Sequence, residues 1–96
     1  MKPYSYEPAA EEELEDALAR SADPSSFQRD VQEAIDSICK GIIVHRKVGR
    51  GNLRECVLSR LPYIIMYRDE PHEITIVAFA HKRRRRGYWK SRLKKS

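Results

Sequence analysis

Two runs in the first half of the chain repeat apolar residues at the spacing of one helical face. The first run is Ala10, Leu14, Ala17 and Leu18, and the second is Phe27, Val31, Ala34, Ile35 and Ile38. The first predicted helix begins at Pro8, since proline suits a first helical position, and ends near Arg20. The second predicted helix begins after Asp23, which is expected to be its N-cap before Pro24, and it ends at Gly41.

The second half of the chain is built from shorter apolar runs separated by turn residues, which predicts strands. The predicted strands are residues 2–6, 53–59, 63–68 and 73–80, with a turn at 69–72, and residues 42–52 are predicted to form a loop or a short edge strand followed by a turn. The two strands 63–68 and 73–80 carry apolar residues on both faces, as strands covered on both sides do.

The order of these elements predicts a single α+β domain over residues 1–96. An N-terminal strand and a two-helix hairpin are expected to pack on a small antiparallel sheet, followed by a basic C-terminal tail over residues 82–96. Within this tail, residues 88–95 are expected to form a final helical turn or to be disordered. A chain of 96 residues buries one modest core.

Charge is divided unevenly along the chain. The net charge of +5 comes from −4 over residues 1–80 and +9 over residues 81–96, which contain no acidic residue. A basic block of this kind indicates a polyanion or an acidic protein as partner.

The sequence does not indicate a membrane protein, a secreted protein or a metal-binding protein. No apolar run approaches the roughly 20 residues of a membrane span, and the start MKPYSYEPAA has no apolar signal core, so we expect a cytoplasmic protein without a membrane partner. Cys39 and Cys56 have no metal-site spacing and are predicted to be reduced and buried. We therefore expect no metal and no cofactor.

Four stretches in this order resemble the RelE/ParE superfamily of toxins from bacterial type II toxin–antitoxin modules. They are residues 6–14 (YEPAAEEEL), 27–38, 61–68 (LPYIIMYR) and 78–84 (AFAHKRR) with Tyr88-Trp89. The chain departs from the family in lacking a proline after the second helix, and its run of arginines at 83–86 is more basic than usual.

This resemblance implies a growth-arresting toxin that a cognate antitoxin neutralises, and it leaves two targets open. RelE-like members are ribosome-dependent endoribonucleases that cut mRNA on the translating ribosome, whereas ParE-like members inhibit DNA gyrase without a known catalytic centre. The pattern His81-Lys82-Arg83-Arg84 followed by Trp89 is more similar to the ParE-like side. A third possibility, from the charge of the tail alone, is a non-toxic nucleic-acid-binding module.

Candidate residues for each function lie mostly near the C-terminus. If the chain is RelE-like, metal-independent RNA cleavage needs a base, an acid and cations on the phosphate. The catalytic candidates for that case are His81, Arg83, Tyr88, Arg68 and Arg54, with Lys47 as a further cation. The binding candidates are Arg60, Arg84, Arg85, Arg86, Trp89 and Arg92. The alternative interpretation is that His81 is a structural hydrogen-bonding residue, which is the more common role at a strand end, and that Tyr88 and Trp89 pack the tail onto the sheet.

Overall fold

The chain forms a strand, two helices, four further strands and a closing 3₁₀ helix. The computed structural model describes residues 1–49, 51–84 and 87–94, with Ser91, Leu93 and Lys94 described by their backbone alone. The elements are β1 (Tyr4–Tyr6), α1 (Pro8–Ala19), α2 (Pro24–Lys40), β2 (Arg46–Lys47), β3 (Leu53–Val57), β4 (Tyr63–Asp69), β5 (Ile74–His81) and the 3₁₀ helix (Tyr88–Lys94).

Both helices begin and end where the sequence predicts. The Asp23 side chain accepts a hydrogen bond of 3.2 Å from the Ser26 N–H, which satisfies one of the unpaired donors at the start of α2. Gly41 ends α2 with a φ of 67°, in the left-handed backbone conformation that is unfavourable for a residue with a side chain. The predicted bounds of the helices are therefore confirmed.

The five strands form one mixed sheet in the order β1-β5-β4-β3-β2. The predicted antiparallel arrangement holds for β2 to β5, but β1 runs parallel to β5. No short turn joins β1 to β5, because both helices and three strands lie between them, so nothing local fixes the direction of β1. The expected short edge strand within residues 42–52 is β2.

A one-residue bulge in β5 changes which side chains face the helices. Met66 pairs with Ala78 and Tyr67 pairs with Ile76, which leaves Val77 as an extra residue on β5. Ile76 and Phe79 therefore both face the helices, although an odd number of positions separates them.

Apolar side chains fill two clusters, one on each face of the sheet. The larger cluster lies between the sheet and the two helices and includes Phe27, Ile35, Ile65, Ile76 and Phe79. The smaller cluster lies on the other face and consists of Leu53, Met66, Val77 and Ala78, with Val48, Ile64, Tyr88 and Trp89 packed against it. The 3₁₀ helix thus covers the sheet face that the helices leave open.

The C-terminal end of the chain is ordered as a helical turn in the part that the structure describes. Tyr88 and Trp89 pack on the sheet, and their assignment to catalysis and binding stays a prediction. Arg85 and Arg86 lie outside the described residues, as do Lys95 and Ser96.

Candidate functional site

Glu13 brings together more of the predicted site residues than any other side chain that the structure describes. Its Oε1 accepts hydrogen bonds from the Phe79 N–H at 3.1 Å and from Arg92 Nη1 at 3.0 Å. Its Oε2 accepts hydrogen bonds from the Tyr88 hydroxyl at 2.6 Å and from Arg92 Nη2 at 3.1 Å. Glu13 and Arg92 therefore form a bidentate ion pair that also holds Tyr88.

These contacts lie on the part of β5 that β1 does not reach. β1 pairs with Ile74–Ile76 only. Beyond that point, the Phe79 N–H donates to Glu13 and the Val77 carbonyl accepts a hydrogen bond of 2.9 Å from Arg92 Nη1. Side chains therefore satisfy two backbone groups that a longer edge strand would otherwise satisfy.

The electrostatics of the cluster favour a charged pair beside a protonated tyrosine. Burial is the largest single influence on the pKa of Glu13, and it acts to raise this pKa. The hydrogen bonds from Arg92, Tyr88 and the Phe79 N–H together outweigh burial. The pKa of Glu13 therefore lies below its ordinary value. The pKa of Tyr88 is raised, first by burial and then by its hydrogen bond to Glu13. The pKa of Arg92 is raised, chiefly by its hydrogen bond to Glu13.

Arg84 joins this cluster from its solvent side. Its guanidinium carbon lies 4.0 Å from the centre of the Tyr88 ring, and its Nη1 lies 4.0 Å from Glu13 Oε2. The Arg84 side chain is 55% exposed, so this second ion pair is much weaker than that of Arg92, which is 21% exposed. Three predicted site residues, Tyr88, Arg84 and Arg92, are thus brought together.

Glu13 was not among the residues predicted from the sequence, although its position carries a signal. Glu13 lies three residues after Ala10 and four before Ala17, which are the buried positions of α1. An acidic residue on the buried face of a helix needs a partner, whereas the neighbouring Glu11 and Glu12 are exposed.

His81 and Arg83 lie at the end of β5. The Arg83 N–H donates to His81 Nδ1 at 3.1 Å, which places the proton of the neutral ring on Nε2. The His81 ring meets the Tyr63 ring edge-on, with ring centres 5.2 Å apart. The imidazole is therefore held in one orientation by its neighbours.

The remaining catalytic candidates lie apart from this group. Arg68 donates to Glu7 at 2.8 Å, and because it pairs across the sheet with Leu53 it lies on the face away from the helices. Arg54 pairs with Tyr67, so it lies on the helix-facing side. The structure does not bring Arg54 and Arg68 together with His81, Arg83 and Tyr88.

The other predicted cations also lie elsewhere. Arg60 is 69% exposed and pairs with Asp30 on α2 at 3.2 Å. Lys47 is exposed on the edge strand β2.

A second polar cluster, which was not predicted from the sequence, fixes the loop after α2. His45 Nδ1 and the Tyr67 hydroxyl share a hydrogen bond of 2.8 Å, and Arg54 Nη1 donates to the His45 carbonyl at 2.7 Å. Arg54 Nε lies 3.5 Å from Asp69, which Lys2 contacts at 2.6 Å. Burial raises the pKa of Tyr67 to about 12, so its hydroxyl remains protonated.

The stability of the fold is expected to fall as the pH drops below neutrality because of His45. Burial, and then the charge of Arg54, lower the pKa of His45 below its ordinary value of 6.5. The unfolded chain therefore binds the proton first, and stability is lost from about pH 6.5 down to the lower folded pKa. Urea denaturation at pH 7.5 and pH 5.5 should show a smaller loss for His45→Asn than for the wild-type chain.

His72, which is exposed, provides the matched control for that measurement. His72→Asn should leave the difference between the two pH values unchanged. An equal pH dependence in wild-type and His45→Asn proteins would mean that His45 is not the group responsible.

The described residues contain neither a cluster of metal ligands nor a membrane-spanning helix. Within residues 1–49, 51–84 and 87–94, no group of three His, Cys, Asp or Glu side chains is placed to hold a metal ion. In the same part of the chain, no helix has both the length and the apolar character needed to cross a bilayer.

The strand, the two helices and the mixed sheet define a class of small α+β proteins, and comparison with known proteins identifies the family. Residues 4–86 match the family model described as the ParE toxin of the type II toxin–antitoxin system parDE. The chain therefore belongs to the ParE toxin family of type II toxin–antitoxin systems, within the RelE/ParE superfamily. The resemblance inferred from the sequence is confirmed.

A solved structure shares the fold. It is described as a chromosomal ParDE toxin–antitoxin system from P. aeruginosa, and its matching chain superposes with a TM-score of 0.64 at 18% sequence identity, over 84% of this chain and 96% of that one. At this level of identity the likeness concerns the fold alone. A comparison with the curated proteins finds no match.

Proposed function

We propose that this ParE family toxin arrests growth by binding DNA gyrase as a protein inhibitor, and that it has no catalytic centre for RNA cleavage. The observation that carries the proposal is the distribution of the five ribonuclease candidates. Arg54 and Arg68 face opposite sides of the sheet, and the Tyr88 hydroxyl already donates to Glu13.

RNA cleavage by the 2′-hydroxyl requires an arrangement of a different kind. A base, an acid and at least one cation must surround one phosphate within hydrogen-bonding distance. In this chain Arg68 is paired with Glu7, and Arg54 contacts Asp69 and the His45 carbonyl. These contacts support a toxin that acts through a binding surface.

The basic end of β5 is the surface that we assign to the target. Lys82, Arg83 and Arg84 are all exposed there, next to the half-buried His81. A cleft of about 220 Å³ adjoins them and is lined in part by Asp16, Arg20, Tyr63, His81 and Arg84. A concentration of cations beside an aromatic-lined cleft fits an acidic protein surface. Arg85, Arg86 and Trp89 continue this basic and aromatic stretch in the sequence.

We assign the cognate antitoxin to a different surface, the groove between the two helices. A cleft of about 460 Å³ runs between α1 and α2, with buried or half-buried apolar side chains at its floor and exposed polar side chains at its rim. Its floor includes Tyr6, Leu14, Leu18 and Val31, and its rim includes Ser25, Gln28, Arg29 and Gln32. This combination fits an amphipathic segment of a partner protein. Because the similar solved structure is described as a ParDE system, we expect that partner to be a ParD-type antitoxin.

Inhibition of gyrase is expected to depend on the basic end of β5. In a supercoiling assay with purified gyrase, the wild-type protein should inhibit, and Arg83→Glu/Arg84→Glu should inhibit at least tenfold less, because two favourable charges become repulsive. The matched control is Arg46→Glu/Lys47→Glu, which reverses two adjacent exposed charges on the opposite edge strand. Equal inhibition by both double variants would contradict the assigned surface.

The ribonuclease alternative gives a different result in cells. After induction, an inhibitor of gyrase should stop DNA synthesis before protein synthesis in a pulse-labelling experiment. His81→Ala and Tyr88→Phe should then leave most of the toxicity in place. Early collapse of protein synthesis, together with loss of toxicity in both variants, would show that the chain is an endoribonuclease and that the proposal is wrong.

A further inference from the structure

In the described part of the C-terminal segment, residues 87–94, three of the four side-chain hydrogen bonds to the edge of the sheet and to α1 end on one side chain, Glu13. Glu13 accepts hydrogen bonds from both Tyr88 and Arg92 of this segment. It also accepts the Phe79 N–H of β5, so a single carboxylate joins α1, β5 and the segment. Tyr88 and Arg92 both lie beyond residues 4–86, the part of the chain that matches the family model.

The segment covers two features that would otherwise be open. Arg92 occupies the position of a neighbouring strand beside β5, where it donates to the Val77 carbonyl. Tyr88 and Trp89 lie over the apolar cluster that includes Met66 and Val77. If the segment leaves, an unpaired strand edge and an apolar surface therefore become accessible together.

We propose that Glu13 is a charge-operated latch, and that loss of its negative charge releases residues 87–94 as a unit from a sheet that stays folded. Only the biological use of the latch rests on the proposed function, since release would change the surface next to the basic end of β5. The latch itself is a property of the isolated chain.

Release as a unit follows from where the contacts lie. The side-chain hydrogen bonds of Tyr88 and Arg92 all end on Glu13 or on the Val77 carbonyl. The larger apolar cluster, between the sheet and the helices, contains no described residue of the segment. Removing the segment therefore leaves the contacts of β1 to β5 with both helices in place.

Other charged groups near Glu13 do not replace its role in the latch. Arg84 approaches Oε2 at 4.0 Å from solvent. Asp16 and Arg20 of α1, and His81 of β5, line the adjoining cleft. Among these groups only Asp16 carries a negative charge, and the hydrogen bonds of Arg92 go to Glu13 and the Val77 carbonyl.

Glu13→Gln in the full chain tests the latch, because Trp89 is the only tryptophan and lies in the segment. We expect its fluorescence to shift to longer wavelength and to become more accessible to acrylamide. Hydrogen exchange of the Phe79 N–H should become roughly 10- to 100-fold faster, the factor for losing one charge-assisted hydrogen bond. Far-UV circular dichroism should remain native. Glu12→Gln, which neutralises the adjacent exposed carboxylate, should change none of these signals.

Arg92→Gln provides the second arm of the test. This variant should reproduce the changes in Trp89 fluorescence and acrylamide quenching. Combining it with Glu13→Gln should change these signals little further, because both substitutions break the same contact. Native Trp89 quenching and native Phe79 exchange in Glu13→Gln would overturn the proposal. Additive effects in the double variant would do the same.

If Glu13→Gln unfolds the whole chain, Arg92→Gln breaks the same ion pair from the side of the segment, and an unchanged Trp89 signal in that variant would overturn the latch. The measurements contain no gyrase, so a failure of the proposed target leaves these results unaffected. Conversely, a result that overturns the latch leaves the expected outcome of the supercoiling assay unchanged.

Discussion

Glu13→Ala is expected to lower the free energy of unfolding by about 2–4 kcal/mol, because alanine removes a partly buried ion pair and the acceptor shared by three donors. The Tyr88 hydroxyl and the Phe79 N–H lose their partner, and Arg92 keeps only the Val77 carbonyl. Glu13 and Arg92 are 15% and 21% exposed, so the small values typical of surface ion pairs do not apply to them.

Chemical denaturation followed by far-UV circular dichroism measures this loss. For a domain of this size, each kcal/mol corresponds to roughly 4–8 °C in melting temperature, so the change is also visible in a thermal scan. Glu12→Ala, at an exposed position one residue earlier, should cost less than about 0.5 kcal/mol. A cost below about 1 kcal/mol for Glu13→Ala would mean that the pair contributes no more than a surface contact.

The helices could be predicted from the sequence because their determinants are local. Asp23, Pro24 and Gly41 act within a few residues of the helix ends that they define. The same holds for the strand pair β4 and β5, whose apolar runs are joined by a short turn. The residues that begin and end the helices, the short turn between the strands and the spacing of apolar residues were sufficient for these elements.

The direction of β1 and the role of Glu13 could not be predicted, because both depend on residues far apart in the chain. Glu13 meets its partners across 66 to 79 positions of sequence. Periodicity shows that a residue lies on a buried face, but it does not show which distant donors meet it there. Three of the predicted site residues, Tyr88, Arg84 and Arg92, were therefore identified without the acceptor that joins them.

The bulge at Val77 is a further feature without a local signal. Side chains alternate along β5, so Ile74 and Ile76 lie on the same face of the sheet. Without the bulge, Phe79 would lie on the opposite face. The uninterrupted apolar run of β5 carries no polar residue between Ile76 and Ala80 that would reveal the change of phase. The bulge also determines which backbone groups face the outer edge, and so where Glu13 and Arg92 bind.

Phe79→Ala is expected to cost about 3–5 kcal/mol, the largest effect of these substitutions, because the side chain is deeply buried in an aromatic group. Phe79 is 3% exposed. Its ring stacks on the Tyr63 ring, with ring centres 4.8 Å apart, and lies beside the Phe27 ring, with ring centres 6.1 Å apart. Aromatic pairs of this geometry contribute beyond the area that they bury.

Phe79→Leu is the control for that substitution, since it keeps an apolar side chain of similar reach and should cost less than about 2 kcal/mol. A cost of about 1 kcal/mol or less for Phe79→Ala would show that the aromatic group repacks easily. Growth arrest by Phe79→Ala should be lost through unfolding, although the Phe79 side chain is not part of the exposed basic surface. His81 contacts the same group through Tyr63, so loss of toxicity in His81→Ala counts as evidence for RNA cleavage only if the melting temperature is unchanged.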